Sequence, residues 1–92
     1  MSLIETSHEF TKRAQEEIIR IEKEFYDREV QANEIEQVFF TYTFGHMKAI
    51  MVVAGNTDNR YYEVSYSKSS DLFYIDVYTQ VRTIVAPAYR EE

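Results

Sequence analysis

The chain contains no cysteine and no tryptophan, one proline and two glycines in 92 residues, and each shortage removes something. Without cysteine there is no disulfide, no thiol nucleophile and no thiolate to hold a metal, which fits a reducing compartment. Pro87 lies near the C-terminus, and Gly45 and Gly55 lie at the ends of apolar runs. The strongest backbone breakers therefore leave long uninterrupted segments between them. No apolar run approaches the roughly 20 residues of a membrane span. Met1-Ser2-Leu3-Ile4-Glu5 has neither the basic start nor the apolar stretch of a signal peptide. The expectation is a soluble, cytoplasmic protein with no membrane partner.

Chemistry-bearing motifs are equally scarce. There is no G-x-G-x-x-G and no P-loop, so nothing cradles a phosphate. His8 and His46 have no ligand spacing, and the serines at 65, 67, 69 and 70 have no adjacent histidine to activate them. No catalytic residue, metal site or cofactor is assigned, and the reading inclines away from an enzyme. An active site built across a dimer stays open.

What is present is apolar and aromatic surface: 45% hydrophobic residues and 15% aromatics argue against disorder. A chain of this length makes one domain, residues 1–92, burying roughly 60–65% of its unfolded surface. The net charge of −6 is unevenly placed, with ten acids and five bases before residue 37 and six acids and five bases after it. No basic patch exists to neutralise phosphates, so direct nucleic-acid binding is not expected.

Thr6-Ser7-His8-Glu9 has the T-x-x-E form of a capping box, with Ser2-Leu3-Ile4-Glu5 as a competing start one turn earlier. Phe10, Ala14, Ile18, Ile21 and Phe25 then line one stripe among charged and amide residues, predicting an amphipathic helix over residues 6–30. Its second stripe of Ile19, Tyr26 and Val30 either packs at the sheet rim or meets a partner. Asn33 either caps the helix in the left-handed region or starts a short extra turn.

From residue 37 onward, apolar residues recur with period two around three polar breaks. This predicts an antiparallel meander of order 1-2-3-4 with strands at 37–44, 47–54, 60–67 and 72–79, and an α+β fold with the helix across the sheet. A two-residue turn at Gly45-His46 pairs Phe44 with Met47, Tyr42 with Ala49, Phe40 with Met51 and Val38 with Val53. A loop at Asn56–Asn59 gives Val53–Tyr62 and Met51–Val64, and one at Lys68–Asp71 gives Tyr66–Phe73, Val64–Ile75 and Tyr62–Val77. All these residues share one face, the core face, with the tyrosine hydroxyls at its rim. The tail, 80–92, either bulges and continues as a strand-like extension or pairs with another chain.

The second face carries the candidate sites. Glu63 and Asp76 fall directly opposite each other, with Cβ atoms roughly 4.5–5.5 Å apart, which destabilises the sheet unless something compensates. With Tyr61, Tyr74 and Tyr78 around them they form a candidate ligand or cation site, or a solvated pair relieved by Arg60 or Arg82. Phe39, Ile50, Val52, Leu72 and Tyr74 make the same face too apolar to be left wet, hence a candidate interface. The leading expectation is a non-enzymatic interaction module, a homodimer or a protein-binding domain. A small-ligand or cation-binding domain is the alternative. An acidic mimic of nucleic acid is a third reading, weakened by the bases interleaved on the helix.

Overall fold

The computed structural model describes residues 4, 6–44, 46–55, 60–79 and 84–88. One helix, α1 (Ser7–Tyr26), is followed by a 3-10 turn (Ala32–Glu34) and four strands: β1 (Ile35–Thr43), β2 (His46–Val53), β3 (Arg60–Ser67) and β4 (Leu72–Thr79). The strands form one antiparallel sheet of order β1-β2-β3-β4. The α+β architecture expected from the sequence is the one observed.

The helix starts where the capping box places it. Thr6 is the N-cap, and its Oγ1 accepts from the backbone N–H of Glu9 at 3.1 Å while donating to the Glu9 carboxylate at 3.0 Å. It stops at Tyr26, four residues short of the predicted end, because Asp27 enters the left-handed region with φ 54 and the N–H of Arg28 returns to the Glu22 carbonyl at 3.0 Å. Asn33 lies in the 3-10 turn, closed by the Glu34 carboxylate on the N–H of Gln31 at 2.8 Å.

Phe10, Ala14, Ile18 and Ile21 are buried as the stripe predicts, but Phe25 is 71% exposed and Glu22 is buried in its place. Glu22 continues the steps of four from Phe10 through Ala14 and Ile18, so it points at the sheet. The helix packs on Met47, Ala49, Met51, Val53, Tyr62, Val64 and Tyr66, with Phe40, Phe73 and Ile75 partly buried beside them. Phe10 anchors its N-terminal half, its ring 5.6 Å from Phe40 and 5.8 Å from Phe73.

Two hairpin registers differ from expectation by two residues. Thr43 pairs with His46, so His46 belongs to β2 and not to the predicted turn, whose Gly45 lies outside the described residues, and the pairs are Tyr42–Met47 and Phe40–Ala49. Phe44 takes the positive φ of 50 that a tight hairpin demands, and its ring is 95% exposed instead of facing the core. A slip of two keeps every side chain on its face. Parity changes only at Val38, where a bulge between Gln37 and Phe39 turns Val38 outward and brings Ile35 and Gln37 opposite Val53 and Met51. β1 therefore starts at Ile35.

The second hairpin pairs Met51 with Tyr62 and Ala49 with Val64. Ala54 leaves the ladder because its N–H donates to the Glu34 carbonyl at 2.8 Å and its carbonyl accepts from Arg28 Nη2 at 3.3 Å. Gly55 follows with φ 78, and the predicted loop at 56–59 lies outside the described residues. The β3–β4 register is the predicted one throughout. Of the tail, residues 84–88 are exposed and outside any strand, whereas 80–83 and 89–92 lie outside the described residues.

Candidate functional site

With the helix across one face of the sheet, four rows of side chains remain on the other. They are Glu36–Val52–Tyr61–Tyr78, Phe39–Ile50–Glu63–Asp76, Thr41–Lys48–Ser65–Tyr74 and Thr43–His46–Ser67–Leu72. Every residue assigned from the sequence to the ligand or interface set lies in these rows. Because strands alternate their side chains, one register delivers all of them to one surface.

Glu63 and Asp76 are directly opposed, as the register requires. A base not named from the sequence lies beside them. Lys48 Nζ lies 3.0 Å from Glu63 Oε1, contributed by β2 from the next row. Arg60 is instead buried under the helix, and Arg82 lies outside the described residues. Tyr61 and Tyr78 stack with ring centroids 5.0 Å apart. The Tyr78 phenol is held above its ordinary pKa, first by the Glu63 charge and then by burial, Asp76 and Tyr61. A phenol so placed donates hydrogen bonds and resists ionisation. Among the described residues, no group of three or more His, Asp or Glu side chains is arranged to hold a metal ion.

The apolar members are open to solvent. Phe39, Tyr61, Leu72, Tyr74 and Tyr78 are between 37% and 52% exposed. Toward the β1–β2 turn the face dips into a shallow depression lined by Thr41, Thr43, His46, Lys48, Ser65 and Tyr74, among others. His46, expected in a turn, is the exposed first residue of β2.

The arrangement missed from the sequence lies on the covered face. Glu22 is fully buried, and Arg60 Nη2 donates to both of its carboxylate oxygens at 2.9 Å. Arg28 Nη1 approaches Oε1 at 3.3 Å, and the Tyr62 hydroxyl donates to Oε2. The Arg60 guanidinium also covers the Tyr26 ring, 3.6 Å from its centroid. Burial, and next the hydrogen bond to Glu22, push the Tyr62 phenol far above its ordinary pKa. This network ties the end of α1 to the start of β3. Its role is to fix the helix on the sheet.

No helix among the described residues is long and apolar enough to cross a membrane. No curated protein and no solved structure matches the chain. A family model does, over residues 5–88, spanning the helix and all four strands: the chain belongs to a family of unknown function, DUF6275.

Proposed function

We propose that the protein is a small, non-enzymatic interaction module that self-associates through the uncovered face of its sheet. The observation that carries the reading is the contrast between the two faces. One is covered by α1, which buries the inward residues of β2 and β3; the other leaves Phe39, Leu72 and Tyr74 about half exposed, with Ile50 and Val52 half-buried between them. Four strands about 4.8 Å apart and eight residues of about 3.3 Å each make a plane of roughly 500 Å². Side-chain relief brings it toward the ~800 Å² per partner of a specific interface. A tyrosine-rich surface suits that use, because each phenol supplies area and a hydrogen bond with little conformational entropy to lose.

The acidic helix offers less. Its acids are laced to bases, with Arg13 on Glu16 and Glu17 and Arg20 on Glu17 and Glu24, so it lacks the unbroken negative surface of a nucleic-acid mimic.

Light scattering at two protein concentrations tests the reading, on wild type and on Phe39→Glu. Phe39 lies on β1 with its ring half in solvent, so the substitution leaves the fold intact by circular dichroism. The expected result is a wild-type mass at least twice 11.0 kDa, halved by the substitution. A wild-type monomer at both concentrations refutes self-association, and an unchanged mass in Phe39→Glu refutes the face as its surface.

A further inference from the structure

We infer that a second copy of the chain also joins along the outer edge of β4, so that two four-stranded sheets become one of eight strands. This contact is independent of the face contact proposed above. The two outer strands differ. β1 is blunted by the bulge at Val38, and its inward row includes the polar Gln37. β4 has no such protection. Its ladder to β3 runs unbroken from Arg60↔Thr79 to Ser67↔Leu72, its sequence, like that of β1, holds no proline, glycine, lysine or arginine, and no described strand lies on its outer side.

Burial points the same way. In β2 and β3 every inward residue is buried. In β4 the inward residues are the apolar Phe73, Ile75 and Val77 and the polar Thr79, and none is buried; Val77 is 40% exposed, although its partner Tyr62 is at 0%. The core is unfinished along the edge where the backbone can accept another strand.

Register identifies the occupant. Antiparallel pairing about a twofold axis normal to the sheet keeps both helices on one side, so inward residues must meet inward residues. The register centred on Ile75 overlaps nearly the whole strand. It sets Ile75 against its own counterpart, Phe73 against the second copy's Val77, Leu72 against Tyr78, and Tyr74 against Asp76. The exposed valine gains an aromatic neighbour. Asp76, whose cross-strand neighbour Glu63 is itself held by Lys48, gains a phenol donor. Centring on Asp76 would oppose two carboxylates, and centring on Tyr74 would set Val77 against Asp71. The strand is thus complementary to itself in one register. A single eight-residue edge falls below about 1,200 Å² of total buried area, so association here depends on protein concentration.

The chain has no cysteine, so one introduced thiol reports the register. Ile75→Cys is expected to give a covalent dimer with a short thiol-specific crosslinker, the two Cβ atoms facing each other at roughly 4.5–5.5 Å, whereas Lys12→Cys on the exposed side of α1, away from both proposed contacts, is expected to stay a single chain. Val77→Lys is expected to halve the wild-type mass in light scattering. The edge contact is overturned if Ile75→Cys crosslinks no better than Lys12→Cys, or if a folded Val77→Lys keeps the full mass. If Val77→Lys does not fold, the thiol comparison decides. Halving by Phe39→Glu but not by Val77→Lys leaves the face and removes the edge; the reverse leaves the edge alone.

Discussion

Replacing Glu22 by glutamine keeps the shape of the side chain and removes one charge from a site that water does not reach. Arg60, 5% exposed, would then lie beside a neutral amide, and the Tyr62 hydroxyl would exchange a carboxylate acceptor for an amide oxygen. Removing one partner of a buried ion pair costs about 3–5 kcal/mol, because the other charge stays desolvated. Arg28 moderates this, since its side chain is 31% exposed and can turn to water, so the expected loss is about 3 kcal/mol. A chain of this size has a total stability of about 5–14 kcal/mol. At roughly 4–8 °C per kcal/mol, the melting temperature falls by roughly 12–24 °C. Urea and thermal unfolding followed by circular dichroism measure it, with Arg20→Gln as the control. Arg20 is half-exposed, and its pairs with Glu17 and Glu24 are worth under about 1 kcal/mol. The double variant Glu22→Gln/Arg60→Gln is expected to lose less than the sum of the single losses, by about 1 kcal/mol or more. Glu22→Gln within about 0.5 kcal/mol of wild type would refute the claim that this network fixes the helix on the sheet.

Two further predictions rest on single side chains. The folded state holds the Tyr62 proton more tightly than the unfolded chain does, because burial and then Glu22 penalise the phenolate. Its contribution is therefore whole below the ordinary phenol pKa of about 10 and declines as pH rises above it. Tyr62→Phe, starting from a lower stability, is expected to show a flatter urea midpoint between about pH 9 and about pH 12; an equal slope would assign the alkaline loss to other groups. Phe44 holds φ 50 with its ring almost wholly in solvent. Phe44→Gly is expected to raise stability by about 0.5–1 kcal/mol, since a β-carbon in the left-handed region costs about 1–2 kcal/mol and no packing is lost; a lower urea midpoint would contradict this.

Most of the fold is legible in the sequence because two periodicities carry it. The capping box and the steps of four from Phe10 to Ile18 mark α1, and the alternation from Met47 to Val77 marks three strands. The β3–β4 register is legible to the residue, since Lys68–Asp71 can close it in only one way that keeps Tyr66, Val64 and Tyr62 beside Phe73, Ile75 and Val77. The two earlier registers are legible in face but not in position. A slip of two leaves the alternation unchanged, so the pattern cannot tell whether His46 belongs to the turn or to β2. What decides between them is local: a positive φ borne by Phe44, and the groups of Ala54 taken by Glu34 and Arg28. Neither leaves a trace in hydropathy.

The candidate sites divide along the same line. The Glu63–Asp76 pair is visible because it depends only on the β3–β4 register, whereas its compensating base depends on the β2–β3 register, which sets Lys48 against Ser65 and one row from Glu63. The buried Glu22 network is harder still. Charge normally marks a helix face as solvated, so the row Phe10, Ala14, Ile18 reads as leaving the core at Glu22 and resuming at Phe25. A buried carboxylate is sustained only if cations reach it, and its main one arrives from Arg60, 38 positions away at the start of β3. Arg60 in turn reads as the first residue of a strand and as a base for the Glu63–Asp76 pair on the other face, because it directly follows the polar loop Asn56–Asn59. Two charges that each look surface-bound define a buried pair only when the sheet brings them together. The i+4 step from Ile18 to Glu22 is the one sequence signal that aims the acid inward, and it is the physical reason to test Glu22 before any residue of the exposed face when asking what holds α1 in place.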